Sequence, residues 1–318
     1  MRSQCNCVSL QKFSILKLNK IISIITINYN GLKDTCELME TLPLDDTSLE
    51  VIVVDNASRE DEATVIEKRY PQVKVIRSKE NLGFAGGNNL GIAAASGKYL
   101  FFINNDTLLY LHDDPIGKSG TPAALKHLVE RFEANSKVGM VCPKIRFSWG
   151  QNLIQYAGYT PLSRITQRNH AIGFNESDYG QYDTPHTTSY GHGAAMMVSR
   201  EAINKAGIMP TCYFLYYEEL DWSMMIRRAG YEIWYEPAST IYHKESQTTG
   251  QASPLRTYYI TRNRLLLVRR NSPLPWRYLS YIYLIFVAGT KECVKNLTKQ
   301  RYDLVKAVLR GLWHFIKN

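Results

Sequence analysis

Apolar residues come in short, β-rich runs through the first half of the chain. Each run is followed by a stretch whose apolar positions recur every three or four residues. The runs predict strands at 22–28, 51–55, 73–77, 99–104 and 138–142. Between them, LKDTCELMETL, REDEATVIEKRY, GGNNLGIAAAS and PAALKHLVERFEANS carry the helical spacing. Strand–helix–strand alternation implies an α/β fold with a mostly parallel sheet flanked by helices. In such sheets ligands bind beyond the carboxyl ends of the strands.

What stands at those ends is polar. YLFFINNDTLLY runs from a buried-looking strand straight into Asn104-Asn105-Asp106 and turns apolar again. The first strand ends in Asn28-Tyr29-Asn30-Gly31 and the second in Asp55-Asn56-Ala57-Ser58. Asn, Asp and Gly are turn formers, which accounts for any one of these ends. All of them on one sheet edge point to a polar ligand crevice. The Gly-rich NLGFAGGNNLG fits neither the dinucleotide fingerprint nor the P-loop, whose Lys-Ser/Thr is missing. It still allows close backbone approach and a helix N-terminus aimed at a diphosphate.

A second polar cluster follows the aromatic run 213–217: Glu218, Glu219 and Asp221, opening a helix that ends near Gly230. On a helix, positions 218 and 221 share a face, and 219 points about 100° away. Acids beside aromatics are costly to bury, and burial with mutual repulsion raises their pKa values. The plain alternative is an acidic first turn favoured by the helix dipole. His243 closes a strand-like STIYH and could complete an oxygen-rich site with Asp106.

Composition changes the picture mainly in the tail. The net charge of +9 is concentrated at 251–318, which hold 13 Lys/Arg against 2 Asp/Glu. Trp276, Tyr278, Tyr281, Tyr283, Phe286 and Trp313 are interleaved with those cations. Basic and aromatic residues on amphipathic helices suit an anionic membrane surface. YLSYIYLIFVAG is too short to span a bilayer, which takes about 20 apolar residues. No nucleic-acid-binding motif accompanies the basic surface. The six cysteines are scattered, without zinc spacing or a disulfide framework, which suits a reducing compartment. IISIITI lacks a small-residue cleavage site and reads as the first strand, not a signal-peptide core. The expected organisation is a poorly ordered extension at 1–20, a catalytic domain at 21–250 and a basic helical tail at 251–318.

SIITINYNG, VIVVDNAS, NLGFAGGNN, FFINND, GHGAAMMVSREA, YYEELDWSMMIRRAGY and EPASTIYH resemble, in order and spacing, the inverting glycosyltransferases of family 2. IQYAGYTPLS and GFNESDYGQYD bring the chain closer to bacterial rhamnosyltransferases of polysaccharide assembly. The resemblance spans roughly residues 21–270 and implies the GT-A fold, a Rossmann-like sheet with flanking helices. It implies that Asp106 binds Mg²⁺ or Mn²⁺ under the diphosphate of a nucleotide-sugar, with Asn104 replacing the first Asp of the usual motif. It implies that Asp55 meets the base, that Asn28, Tyr29 and Asn30 line the same pocket, and that Gly83, Gly87, Asn88 and Asn105 complete the donor site. His243 matches a histidine that approaches the metal or diphosphate. The base position of the family's acidic block is Glu219, with Asp221 as the alternative. The implied donor is dTDP-rhamnose and the implied acceptor a lipid-linked saccharide, met at the inner face of the cell membrane through the tail. The alternatives are a family 2 enzyme using a UDP-hexose, a sugar nucleotidyltransferase, or a scaffold that has lost catalysis.

Overall fold

Val, Ile and Leu at consecutive positions suit a strand covered on both faces. Accordingly, β1 (Ile22–Asn28), β2 (Leu49–Asp55) and β4 (Tyr99–Ile103) are buried almost end to end. The computed structural model describes residues 21–110, 121–149, 152–244 and 253–317. The expected extension at 1–20 therefore lies outside the described residues. With β3 (Lys74–Arg77) at one edge, the strands run parallel in the order β3-β2-β1-β4.

Helices α1 (Leu32–Glu40), α2 (Glu62–Arg69) and α3 (Gly83–Ala94) connect those strands. Asp61 caps α2 by accepting from Thr64 N at 3.2 Å. Beyond β4 come β5 (Thr107–Leu108), α4 (Thr121–Ala134), β6 (Val138–Phe147), β7 (Ile154–Tyr156), β8 (His186–Thr187) and β9 (Ala195–Ser199). Then follow α5 (Arg200–Ala206), α6 (Glu218–Arg228) and β10 (Glu232–His243). The sheet continues from β4 through β9, β6 and β10 to β5. Strand β9 enters antiparallel between β4 and β6, so the sheet is parallel in its first half and mixed in its second.

Strand β6 outruns its predicted end at 142 by five residues. Lys144 hid the continuation: its ammonium is buried, donates to Asp178 at 2.9 Å and pairs with Asp183. A charge neutralised in this way is compatible with a strand interior.

The tail folds as α7 (Pro254–Asn271), α8 (Trp276–Ile282), a π-helical segment (Tyr283–Gly289), α9 (Thr290–Thr298) and α10 (Tyr302–Lys317). Ser253 caps α7. Leu266 and Leu267 of α7 pack with Tyr190, Tyr213 and Leu220, so this helix is built into the body of the sheet domain. A separate cluster of Leu265, Val268 and Leu284 ties the rest of the tail to α7.

Candidate active site

Parallel pairing sets Asn28 opposite Asp55 at the ends of β1 and β2. The Asn28 amide donates to Asp55 Oδ2 at 2.8 Å and to Glu62 Oε2 at 2.7 Å, and its carbonyl accepts from Thr35 Oγ1 at 2.7 Å. Asp55 also accepts from Ser58 N at 3.0 Å. Asn28 is thus a fully buried strut that fixes Asp55 and is not free to contact a ligand, contrary to its expected place in the pocket lining. Tyr29 and Asn30 are exposed beside it, and Asn30 sits at φ +52° with its side chain accepting from Arg59 N at 2.9 Å.

The polar clip after β4 is drawn in from both sides. Asn105 donates to Thr35 Oγ1 at 3.1 Å, which ties the turn to α1. The short β5 pairs antiparallel with β10, placing His243 against Thr107. As a result His243 Nε2 lies 3.1 Å from Asp106 Oδ1. Burial pushes the Asp106 carboxyl up, but the hydrogen bond and charge of His243 outweigh it and hold the group below its ordinary value. His243 Nδ1 faces Gln155 Oε1 at 2.8 Å. An acceptor there suits a proton on Nδ1. Nε2 then faces Asp106 either as a second N–H donor, the charged form that lowers the carboxyl pKa, or as a lone pair open to a cation.

The acidic helix gives its three carboxylates three surroundings. Asp221 is fully buried, where it accepts from Tyr213 Oη at 3.0 Å and Asn271 Nδ2 at 2.9 Å and pairs with Arg270. Glu218 is buried with Oε2 lacking a partner, and burial together with the Glu219 charge pushes it up to about 8. Glu219 lines a cavity of about 410 Å³ with Tyr159, Asn169 and Tyr217, and burial raises its pKa. The expected shared face of 218 and 221 therefore points inward, and 219 alone is presented to the cavity.

A strained run delivers Glu219. Phe214, Tyr216 and Tyr217 have φ of +70°, +68° and +79°, a region that costs a non-Gly residue about 1–3 kcal/mol. Asn263 of α7 clamps the run, donating to the carbonyls of Tyr213, Leu215 and Tyr216 at 3.1, 2.7 and 3.0 Å. From the other side Phe84 N donates to Phe214 O at 2.8 Å. That approach is why residue 83 is Gly: at φ +70° an added Cβ would lie 2.1 Å from Phe214 O.

His192-Gly193 neighbours both the Asp106–His243 pair and Glu219. The His192 ring is 6.5 Å from His243 and stacks on Tyr159, and burial with His243 nearby pushes its pKa down to about 3. A Cβ at Gly193 would lie 3.8 Å from Glu219 Cγ.

The profile of Glycosyl transferase family 2 matches residues 23–207, from β1 to the end of α5. This chain belongs to glycosyl transferase family 2. The low-salt glycan biosynthesis hexosyltransferase of Haloferax volcanii is 23% identical over 299 residues, covering 93% of this chain and 91% of its own length. The N-acetylglucosaminyl-diphospho-decaprenol L-rhamnosyltransferase of Mycobacterium tuberculosis is 22% identical over 309 residues, covering 91% and 99%. The mannosyltransferase of Pyrobaculum calidifontis, solved with GDP-Man and Mn²⁺, superposes with a TM-score of 0.56 at 16% identity. That match covers 92% of this chain and 87% of the mannosyltransferase, and the shared fold is GT-A.

For a family 2 glycosyltransferase several sequence expectations need correction. Asn88 is buried and donates to Phe84 O at 3.1 Å, a bond within its own helix. Gly87 makes room for β1, since a Cβ there would meet Ile27 Cδ1 at 2.9 Å. The Gly-rich run therefore serves helix–sheet packing and the Phe214 contact. Asp221 anchors α7, which leaves Glu219 as the acid on the cavity. Sequence reading assigned no role to His192, Gln155, Tyr159 or Asn263; an Asn amid the apolar and basic positions of 260–268 was the one available signal for Asn263.

Proposed function

We propose that this family 2 glycosyltransferase is inverting and metal-dependent, transferring rhamnose from dTDP-rhamnose to a lipid-linked saccharide during surface polysaccharide assembly. The observation that supports this reading is that His192-Gly193 neighbours both the Asp106–His243 pair and Glu219. Glu219, its pKa raised by burial, is suited to take the proton of an acceptor hydroxyl as the oxygen bonds to the anomeric carbon. The bond from that carbon to the diphosphate oxygen breaks on the opposite face, and the configuration inverts.

The residues at the other end fit a hard cation. Asp106 offers a carboxylate and His243 Nε2 a lone pair turned toward it. Among the described residues no group of three or more His, Cys, Asp or Glu gathers for a metal, so phosphate and water oxygens would complete the shell. A bound Mg²⁺ or Mn²⁺ supplies charge stabilisation for the departing diphosphate. Asp55, fixed by Asn28, is positioned for the base, with Tyr29, Asn30 and Asn105 on the same edge.

The rhamnose donor draws on the name of the mycobacterial relative and on the blocks at 154–163 and 173–183. The name of the archaeal relative, a hexosyltransferase, favours a UDP-hexose as the second reading. Membership in family 2 leaves the nucleotidyltransferase alternative without support. For the tail, no helix among the described residues is long and apolar enough to cross a membrane. Yet Ile282, Phe286, Val287, Leu309, Trp313 and Ile316 are all exposed, a face suited to lying on the inner surface of the cell membrane. Thermal-shift binding of dTDP-rhamnose, UDP-glucose, UDP-galactose and GDP-mannose, with Mg²⁺ or Mn²⁺ and then a chelator, tests the reading. A cation-dependent shift strongest for dTDP-rhamnose is expected; a stronger shift with a UDP-hexose would replace the donor.

A further inference from the structure

A cavity of about 390 Å³ lies between α7, the π-helical segment, α9 and α10. Leu265, Leu284 and Leu312 form its apolar wall, and Arg168, Arg256 and Arg264 stand on it. Lys295 there is matched by Glu292 at 3.4 Å, but among the described residues no carboxylate pairs with the three arginines. This cavity adjoins the one lined by Glu219, and the two share Arg168, Ile260 and Arg264.

The junction holds donors that have no partner among the described residues. Arg264 gives one guanidinium nitrogen to Thr166 O, while its Nε is buried without a partner. Asn169 Nδ2 is likewise buried and unpartnered. Burial and the neighbouring Arg168 both lower the Arg264 pKa, against a partial offset from Tyr217. Like charges and unspent donors cost stability unless an anion meets them. A guanidinium fork matches a phosphate in geometry and charge.

We propose that this junction binds the phosphate of the lipid-linked acceptor. Arg168, Arg264 and Asn169 hold the phosphate, the lipid starts along the wall of Leu265, Leu284 and Leu312, and the saccharide reaches Glu219. An apolar wall on one side and a catalytic carboxylate on the other select an amphiphile over a free anion. The inference rests on the glycosyltransferase reading above and adds the residues that receive its acceptor. Arg264 and the apolar wall lie beyond the stretch that the family profile matches.

Calorimetry on the full chain with farnesyl diphosphate, farnesol and inorganic pyrophosphate tests it, in parallel with the dTDP-rhamnose thermal shift. Farnesyl diphosphate should bind more tightly than either fragment. Arg168→Ala with Arg264→Lys should weaken it by about tenfold or more, the loss of one charge-assisted hydrogen bond. Ala288→Trp, which fills the apolar side, should weaken it while the donor shift persists. Equal binding by wild type and variants overturns the proposal, even where the donor still binds. Displacement of the probe by phosphatidylglycerol vesicles, with the same loss in the arginine variants, would mark a headgroup site and overturn it too. Failure of every nucleotide-sugar to bind would instead sink the glycosyltransferase reading, whatever the probe does.

Discussion

At the β1–β2 edge of the sheet the polar side chains are committed to one another, whereas around α6 several have no partner among the described residues. Asn28, Asp55, Ser58 and Glu62 form a closed set of hydrogen bonds organised by the β1–β2 register. Around α6, Glu218 Oε2, Asn169 Nδ2 and Arg264 Nε have no partner among the described residues, and three residues sit at positive φ. A buried unmet group costs about 1–3 kcal/mol. The β1–β2 edge, the proposed donor side, is thus fixed by strand geometry, and the α6 region, the proposed acceptor side, is held in place at a cost by α7. One side is ready-made; the other is kept open for what arrives.

Glu219→Gln sharpens this contrast most. Turnover should fall about 10²–10⁴-fold while the donor thermal shift persists. The same loss from Asp221→Asn, with the fold intact, would move the base to Asp221. Asp106→Ala should remove the cation-dependent part of the donor shift and turnover with it; a donor shift still sensitive to chelator would place the cation elsewhere. Asn263→Ala removes the amide shared by the carbonyls of Tyr213, Leu215 and Tyr216, of which Tyr213 O keeps Arg262 at 2.6 Å, and should cost about 2–4 kcal/mol, read as a lower midpoint in urea. It should also lower kcat more than donor affinity, because the donor edge does not depend on α7. Asp221→Asn should cost about 3 kcal/mol by leaving Arg270 without its buried counter-charge.

The pH dependence has the clearest sign. Burial and Glu219 hold Glu218 near 8, against an unfolded value of 4.5. Below pH 4.5 both states keep the proton and no penalty exists. Between 4.5 and about 8 the unfolded chain loses its proton first and stability falls. Glu218→Gln removes that slope, so its Tm advantage over wild type should grow from pH 5 to pH 8. A constant difference across that range would mean that Glu218 is not held protonated.

Much of the donor half was legible because buried strands write themselves as apolar runs and their ends as polar clips. The bounds of β1 coincide with its apolar run, and the strand-end positions of Asp106 and His243 anticipate their contact. Legibility failed where a residue's partner is distant in the chain. Lys144 broke an apolar run because its neutralising Asp178 comes from a later loop. Asn28 read as a ligand contact since nothing local reveals Glu62 and Thr35 around it. Gly87 and Asn88 have the same composition as a phosphate loop, and only the Ile27 and Phe84 contacts distinguish packing from binding. Helical geometry placed 219 apart from 218 and 221 but did not say which side faces the cavity.

The Asn263 clamp bears on how this chain can be cut. A version shortened where the sheet domain gives way to the basic segment would retain β1–β4 and their donor edge. It would also lose the amide that holds residues 213–216 in their unfavourable backbone, and with it the aim of Glu219. Removing the tail helices with their exposed apolar residues therefore has to begin after α7, not before it.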